Sequence, residues 1–342
     1  MTDQSFIDPH VLRGMDSMPV RTTNLNTLDM EKVAAHIERA VARGRYSGPM
    51  APQEYLLRKQ CIVEVDSAIY ATLAGIMCFG RDTQAIFPRA VIDIGHYRGV
   101  DPVSFEVFHL EKDIGGTLFD QLARVETYLW TNTHHGMTLS DSSFQRVEIH
   151  EYPRAVIREL CVNVLAHRDY TNFRSAARVQ MFRNRIEWIS PGGLPPGVTV
   201  ENILFEQAAR NPQILSILYE AGYVEAFGQG LDTVVAVLSH EGMTPPQFHD
   251  TGASFIVTVF GRPIDVFSGE GIYARLNDSQ RKILAIIRTR SETAPREILD
   301  LLEDRARRSV QRDIKGLVEA NLIYAVGEGR ALRYRLKEPN GA

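Results

Sequence analysis

The sequence predicts an α/β fold followed by a smaller helical module. Between residues 28 and 260, segments with the alternating apolar residues of strands are mixed with segments of helical periodicity. Glycine- and proline-rich loops separate these segments. After a linker at residues 261–276, three helical segments and a short hairpin follow. The length of 342 residues suits two or three domains.

The elements of the α/β part are predicted from the period of their apolar residues. A polar leader precedes a first amphipathic helix at residues 28–42. Further helices are expected at residues 53–59, 118–130, 153–167, 212–221 and 231–240. Strands are expected at residues 90–97, 105–110, 144–149, 177–182, 185–189 and 254–260.

The composition is typical of a globular protein, with 44% hydrophobic and 23% charged residues. The apolar runs are too short to cross a bilayer, and the first residues lack the features of a secretory signal. The three cysteines, Cys61, Cys78 and Cys161, are far apart, which argues against a disulfide framework or a zinc site. We therefore expect a cytoplasmic protein that does not bind membranes.

Charge is distributed unevenly along the chain. From Arg275 to the C-terminus there are 15 Lys and Arg against 10 Asp and Glu, a net charge of +5. The preceding 274 residues carry −9. This asymmetry suggests that a polyanion would bind to the C-terminal module.

Three polar residues share one edge of the helix predicted at residues 153–167. Glu159, Asn163 and His167 recur at intervals of four, which places them in a line beside the apolar stripe. An asparagine oxygen is a suitable ligand for Mg²⁺, and a carboxylate one turn earlier can activate a water molecule. The spacing also fits a surface glutamate, a capping asparagine and a partly buried histidine, so this alternative stays open.

Two glycine loops follow this helix along the chain. Gly192 and Gly193 come after the strand at 185–189, and Gly228 and Gly230 precede the helix at 231–240. Glycine lets the backbone approach a phosphate, and a helix N-terminus supplies unpaired N–H groups. The order of polar helix, hairpin, glycine loop, second glycine loop and helix favours a nucleotide site.

Three blocks of the sequence resemble one known family. The blocks are EYPRAVIRELCVNVLAHRDY, RIEWISPGGLPPGVTVENI and RNPQILSILYEAGYVEAFGQGL. Together they are similar to the C-terminal region of Schlafen-related transcriptional regulators, the divergent AAA-4 or "RecG-like" ATP-binding proteins. The resemblance runs from about residue 17 to 262. It implies a Bergerat-like ATP-binding sandwich of helices on a mixed sheet, a C-terminal winged helix-turn-helix, and ATP and Mg²⁺ as cofactors.

The resemblance also implies roles for individual residues. Glu159 matches the water-activating acid, and Asn163 matches the magnesium-binding asparagine. The other residues that it places at the nucleotide are His167, Arg168, Asp169, Ser190, Gly192, Gly193, Arg210, Asn211, Gly228 and Gly230.

The sequence departs from the family pattern in two ways. Ser190 and Pro191 stand where the wider superfamily has an aspartate that reads the adenine amino group, which puts adenine specificity in question. The N-terminal AlbA domain of longer relatives is expected to be absent. Helicase activity is not expected either, because the sequence contains no Gly-Lys pair and therefore no glycine-lysine phosphate loop.

The domain boundaries follow from these interpretations. We expect a flexible leader and helical linker at residues 1–60, and an α/β subdomain at residues 61–145. The Bergerat-like nucleotide-binding domain would span residues 146–265, and the winged helix residues 266–342.

The C-terminal module combines a packed face with a basic face. Asn277 or Asp278 is expected to cap its first helix and Thr293 its second, and the third is predicted from about Arg305 to Ala320. Such a helix can enter a DNA major groove. The predicted DNA-binding residues are Arg305, Arg308, Gln311, Arg312, Lys315 and, in the hairpin, Arg330. A module used for protein contact is the alternative, because the fold alone does not prove DNA binding.

The function predicted from these features is an ATP-binding transcriptional regulator. It would bind DNA through the winged helix, and nucleotide would control its conformation or its homodimerisation. The alternatives are a slow Mg²⁺-dependent ATPase with Glu159 as general base, and a degenerate dimerisation scaffold without nucleotide. A histidine kinase using His36 is disfavoured because the surrounding residues lack a phospho-acceptor pattern. His134 and His135 are expected in a solvated loop.

Overall fold

A computed structural model describes residues 14–101, 107–139, 146–206, 208–224, 230–263, 276–290, 292–302, 305–320, 322–327 and 329–337. Its helices are α1 Met30–Ala42, α2 Pro52–Arg58, α3 Leu73–Phe79, α4 Thr83–Ile86, α5 Leu118–Thr131, α6 Arg154–Ala166, α7 Pro212–Glu220, α8 Gly230–His240, α9 Asp278–Arg290, α10 Pro295–Leu301 and α11 Arg307–Glu319. Its strands are β1 Ile62–Val65, β2 Ala68–Ala71, β3 Ile92–Tyr97, β4 Val107–Ile114, β5 His135–Leu139, β6 Arg146–His150, β7 Ala177–Met181, β8 Arg185–Pro191, β9 Gln247–Asp250, β10 Ser254–Phe260, β11 Ile323–Val326 and β12 Arg333–Leu336.

The chain divides into two compact units that are not continuous in sequence. The first unit consists of Met1–Asn132, Arg154–Val234 and Gln247–Thr258. The second consists of Thr133–Pro153, Val235–Pro246 and Val259–Ala342. The segment before α6 is thus in the same unit as the C-terminal part of the chain.

A six-stranded mixed sheet forms the framework of the first unit. The strand order is β4-β3-β7-β8-β10-β9. β3 and β7 are parallel, while the pairs β3–β4, β7–β8 and β9–β10 are antiparallel. The mixed α/β fold predicted from the sequence is confirmed.

Helix α6 packs its apolar stripe against this sheet. The residues of the stripe are all buried: Val156, Ile157, Leu160, Cys161, Val164 and Leu165. On the sheet side, Val179 and Trp188 of β7 and β8 are buried as well. Removal of this apolar surface from water fixes the rotation of α6, so the residues beside its stripe lie at the margin of the sheet.

The prediction of a flexible leader is wrong for residues 14–28. Met15–Ser17 form a 3-10 turn, Pro19 pairs with Thr72, and Leu28 is fully buried. The polar residues Asp16 and Thr23 are also buried. Because such side chains satisfy backbone groups elsewhere in the fold, this stretch is ordered without having an apolar period.

His134 and His135 are both exposed, as predicted, but only His134 lies in a loop. His135 begins β5, where it lies opposite His150 of β6, and the two Nδ1 atoms are 3.0 Å apart. The Nδ1 atom of His134 lies 2.7 Å from a carboxylate oxygen of Glu151. In the described part of the chain there is no group of three or more potential metal ligands.

Three helices and a hairpin make up the C-terminal part of the second unit. Their shared core contains Leu276, Ile283, Leu284, Ile287, Ile298, Leu302, Val310, Ile314, Leu317, Leu322 and Ile323. Asn277 caps α9, because its side-chain oxygen accepts the N–H of Gln280 at 2.9 Å. Thr293 does not cap α10; it exchanges two backbone hydrogen bonds with Tyr334 of β12 instead.

Within the described residues, no helix is long and apolar enough to cross a bilayer.

Candidate functional site

A pocket of about 570 Å³ opens in the first unit beside α6. Its walls come from α6, β8, the loop after β8, α7 and the first residues of α8. The polar and glycine residues that line it include Glu159, Asn163, His167, Ser190, Gly192, Gly193, Glu206, Arg210, Gly230 and Asp232. The line of polar residues predicted along α6 therefore faces this pocket.

Glu159 and Asn163 form a connected pair on the pocket wall. The amide nitrogen of Asn163 donates to Oε1 of Glu159 at 3.0 Å. This bond leaves the amide oxygen of Asn163 as the group that can serve a cation. The pair is thus arranged as an oxygen ligand beside a carboxylate.

The N-terminus of α8 lies against this pair. A Cβ atom at Gly230 would stand 2.6 Å from Oε1 of Glu159 and 3.4 Å from the amide nitrogen of Asn163. Only glycine allows the backbone to approach the carboxylate so closely. The other glycine of the predicted second loop, Gly228, lies outside the described residues.

The loop after β8 also depends on glycine. Gly192 has φ +98°, which side chains rarely adopt, and an added Cβ would stand 2.6 Å from Cβ of Asp169. At Gly193 an added Cβ would stand 2.8 Å from the carbonyl oxygen of Gly252. The backbone of this loop therefore lies open to the pocket on one side and tightly packed on the other.

Arg210 and His167 bring two nitrogen-containing side chains to the pocket. Arg210 donates to the carbonyl oxygen of Gly193, and its guanidinium lies 3.6 Å from the carboxylate of Asp169. Burial, together with the charge of Arg210, lowers the pKa of His167 to about 4. At neutral pH the imidazole is uncharged, so Arg210 is the cation and His167 is a neutral polar group.

Three residues predicted at the nucleotide are absent from the lining of the pocket: Arg168, Asp169 and Asn211. Arg168 is 1% exposed and donates to the carbonyl oxygens of Val91 and Ser175 at 2.9 and 2.7 Å, and also to that of Arg89. Asn211 is 2% exposed and donates to the carbonyl oxygens of Ala166 and Arg168 at 2.9 and 2.8 Å. Both side chains therefore hold the backbone behind the pocket.

Asp169 likewise serves its own loop. One carboxylate oxygen accepts from the N–H and hydroxyl of Thr171 at 2.9 and 2.6 Å. Its backbone N–H donates to the carbonyl oxygen of Pro191 at 2.8 Å. This bond connects the residues that follow α6 to the first glycine loop.

Ser190 is buried in the pocket wall. Its hydroxyl donates to the carbonyl oxygen of Val164 at 2.9 Å. Because the hydroxyl proton is used in this bond, the oxygen meets the pocket as an acceptor.

The sequence patterns missed most of the apolar wall of the pocket. Its members include Leu194, Val198, Ile203, Leu204, Leu215, Tyr219 and Val224. They are spread over an irregular loop and one face of α7, so no single period connects them. The acidic residues Glu206 and Asp232 were missed for the same reason.

The exposed residues of the C-terminal module form a different kind of surface. Arg308, Gln311, Arg312 and Lys315 of α11 are exposed, as is Arg305 just before the helix. The ammonium of Lys315 lies 3.5 Å from a carboxylate oxygen of Glu319. The side chain of Arg330 lies outside the described residues.

Comparison with known proteins supports an ATPase-like region in the first unit. The family model "Putative ATP-dependent DNA helicase recG C-terminal" matches residues 175–259. This segment includes Ser190, both glycines of the first loop, Arg210 and Gly230, whereas Glu159 and Asn163 lie before it. No curated protein matches the chain.

A solved structure shows a similar fold. It is the crystal structure of the DIP2311 protein from Corynebacterium diphtheriae, with a TM-score of 0.57 and 21% sequence identity. The match covers 95% of this chain and 64% of that chain. The present chain thus spans less than two thirds of that protein, and the likeness is one of fold.

Proposed function

We propose that the protein binds a nucleotide together with Mg²⁺ in the pocket beside α6. The observation that carries this proposal is the Glu159–Asn163 pair beneath the N-terminus of α8. Hard oxygen donors, a close backbone approach and an apolar wall occur together there, which suits the metal, the phosphates and the base of one ligand. The RecG-type family match supports an ATP-like ligand.

Each part of the pocket has a distinct role in this proposal. The apolar wall, with Leu215 and Tyr219, packs against the base. The amide oxygen of Asn163 holds Mg²⁺, which neutralises phosphate charge when bound. Glycine backbone at the first loop and the start of α8 lies next to the phosphates.

The charges of the pocket make this binding dependent on a divalent cation. Glu159, Glu206 and Asp232 supply three carboxylates, whereas Arg210 is the single lysine or arginine among the described lining residues. A polyphosphate would be repelled from this pocket unless a cation offsets the carboxylates.

The test is a titration with a fluorescent ATP analogue in Mg²⁺ and in EDTA. We expect saturable binding in Mg²⁺ that weakens at least tenfold in EDTA. Asn163→Leu should reproduce the EDTA value even in Mg²⁺, while Asn172→Ala, at a loop position away from the pocket, should bind normally. Absence of binding by the unmodified protein would favour the nucleotide-free scaffold instead.

A slow ATPase is a second candidate function, favoured by the position of Glu159. Its carboxylate lies beside the amide of Asn163 and the backbone of Gly230, where it can orient a water molecule. Phosphate release should fall at least tenfold in Glu159→Gln, since general acid–base catalysis contributes typically about 10²–10⁴-fold. Equal release by the two proteins would reject Glu159 as the base.

We also propose that the C-terminal module binds DNA and that the protein is a transcriptional regulator. The basic residues of α11 are exposed, while Val310, Ile314 and Leu317 on its other face are buried. A single antiparallel bridge from Thr293 to Tyr334 joins the segment before α10 to the hairpin, which suits a winged helix. Binding to labelled DNA should weaken as salt rises, because phosphate contacts release counterions.

We also propose that nucleotide binding controls homodimerisation. Light scattering after gel filtration should show a larger mass with nucleotide and Mg²⁺ than without them. An unchanged mass would show that nucleotide does not control dimerisation. Control of DNA affinity would then be tested by the DNA titration with and without nucleotide.

A further inference from the structure

The N-terminal cap of helix α7 comes from a distant part of the chain. Oδ2 of Asp16 accepts the backbone N–H groups of Gln213 and Ile214 at 2.7 and 3.0 Å. Asp16 is fully buried. A side chain almost 200 residues earlier therefore satisfies the first turn of α7, where N–H groups have no partner inside the helix.

The last residue of α7, Glu220, is held by three side chains from the same N-terminal region. Its Oε2 accepts the hydroxyl of Tyr55 at 2.6 Å and lies 3.3 Å from Nε2 of His36. Its Oε1 lies 2.5 Å from the ammonium of Lys59. Glu220 is only 2% exposed.

The charge of this buried carboxylate is maintained by its partners. Burial alone would raise the pKa of Glu220, but the hydrogen bonds from His36, Lys59 and Tyr55 outweigh it and hold the pKa below its ordinary value. Glu220 is therefore ionised at neutral pH. A charged carboxylate with three bonded partners has a narrowly defined position.

A further bond reaches the backbone at the end of α7. The guanidinium of Arg45 donates to the carbonyl oxygens of Tyr219 and Val224 at 3.0 and 2.7 Å, and it lies 5.0 Å from the centre of the Tyr219 ring. Tyr219 and Val224 both line the pocket. Arg45 itself is not among the lining residues.

The α7 anchor is defined here as Asp16, His36, Arg45, Tyr55 and Lys59 together with Glu220. None of its members lines the pocket, whereas Leu215 and Tyr219 on α7 do. Burying an ion pair gives little net stability compared with an apolar pair of similar volume. What the ionic contacts do provide is a fixed position for the helix along its whole length.

We propose that the α7 anchor positions the apolar wall of the pocket and so sets its affinity for nucleotide. Its members are positioning residues, since they act through Leu215 and Tyr219. The inference rests on the proposed nucleotide site. Because coupling between two sites is reciprocal, nucleotide in the pocket must also stabilise the contact between residues 30–59 and α7.

The experiment compares Glu220→Gln with the unmodified protein, using the fluorescent ATP analogue in Mg²⁺. Glutamine keeps the shape of the side chain and removes its charge. We expect binding to weaken about tenfold, within the range usual for coupled sites. Tyr55→Phe, which removes one hydroxyl and keeps the ring, should weaken binding about threefold and serves if Glu220→Gln does not fold.

The matched control is Gln121→Ala. Gln121 is fully buried in α5 and donates to the carbonyl oxygens of Ala90 and Gly116 at 2.9 and 3.2 Å, away from α7. It should lower the melting temperature and leave the dissociation constant within about twofold. If only the anchor variants lose affinity, the loss is caused by the position of the pocket wall and not by general destabilisation.

Hydrogen exchange supplies a readout that a purely structural role would not change. In the unmodified protein, nucleotide should slow exchange of amides in residues 30–59, and Glu220→Gln should abolish that effect. Normal affinity in both anchor variants, or no slowing at residues 30–59 in a protein that binds nucleotide, would overturn the anchor and leave the proposed function intact. If the unmodified protein binds no nucleotide, the first titration shows it, and both proposals fail together.

Discussion

In helix α6 the informative polar residues are turned towards protein and a pocket, whereas in α11 they are turned towards solvent. Glu159 and Asn163 bond to each other, and a Cβ added at Gly230 would stand 2.6 Å from Glu159 and 3.4 Å from Asn163. Arg308, Arg312 and Lys315 are exposed along the opposite side of α11 from its core. The same helical periodicity thus produces a concave site in one unit and a convex basic surface in the other.

This difference matters for what a substitution changes. Around the pocket, polar side chains bond to other groups of the protein, so their loss affects stability as well as binding. On α11, a basic side chain has few partners within the protein, so its loss should affect binding alone. Four predictions test this contrast.

The largest effect is expected at Arg168, behind the pocket. Arg168→Met should lower the free energy of unfolding by about 4 kcal/mol, because it leaves buried carbonyl oxygens without their charged donor. Urea denaturation measures the change. Arg174→Met, at an exposed arginine in the same loop, is the control and should change stability by less than about 0.5 kcal/mol. A similar loss of stability in both variants would show that polar side chains behind the pocket matter no more for stability than exposed ones.

The second effect is a pH dependence caused by His167. Its pKa is about 4 in the folded protein against an ordinary 6.5, so the unfolded chain binds the proton more readily between these values. Stability should therefore be constant above about pH 6.5 and fall as the pH decreases towards 4. At about 1.4 kcal/mol per pKa unit the loss is at most about 3 kcal/mol, reduced by the partial access of the ring to the pocket.

Melting temperatures recorded from pH 7.5 to 4.5 test this pH dependence. His167→Gln should show a shallower decrease over the same range, because the titrating group is gone. Parallel curves for the two proteins would assign the acid sensitivity to other residues.

A third effect is expected at the first glycine loop. Gly192→Ala should cost about 2 kcal/mol, since alanine is strained at φ +98° and its Cβ would meet Asp169. Gly197, also at positive φ but with open space around its Cβ position, is the matched control. If Gly192→Ala weakens nucleotide binding and Gly197→Ala does not, the loop is part of the nucleotide site. Equal binding by both variants would show that the loop is not part of the site.

The smallest effect on stability is expected at Arg312 of α11. Arg312→Ala should change the free energy of unfolding by less than about 0.5 kcal/mol. It should reduce the slope of log affinity for DNA against log salt by about one, as expected for one lost phosphate contact. Gln280→Ala, on α9 of the same module, should not change the slope. A slope unaffected by Arg312→Ala would favour a module used for protein contact.

Local sequence patterns predicted many of the elements and much of the polar edge of the site, but not β1, β2, β5 or β9. The stripe of α6, the hairpin of β7 and β8, and the three C-terminal helices all follow from the period of their apolar residues. The glycine loop at Gly192 was visible because few residues other than glycine adopt its backbone conformation. These features depend on contacts within a few turns or between adjacent strands, which sequence spacing encodes directly.

Other residues could not be assigned from spacing, because their partners are far away in the chain. Arg168 and Asn211 belong to the same blocks as the pocket residues, yet their side chains turn to backbone carbonyls behind it. Residues 14–28 lack an apolar period, yet Asp16, Ser17, Thr23 and Leu28 are buried there. Asp16 caps a helix that begins at Pro212.

The sequence by itself therefore determined the α/β class, the line of Glu159, Asn163 and His167, and the basic face of α11. Helical and strand periods are local properties, and they decide which side chains share a face. Only the tertiary structure decided which of those faces encloses a pocket, which polar residues hold its backbone, and that α7 is fixed by Glu220 and the N-terminal helices. Those outcomes depend largely on hydrogen bonds between residues that are tens to almost two hundred positions apart, as for Asn211 with Arg168 and Asp16 with Ile214, where no sequence period reaches.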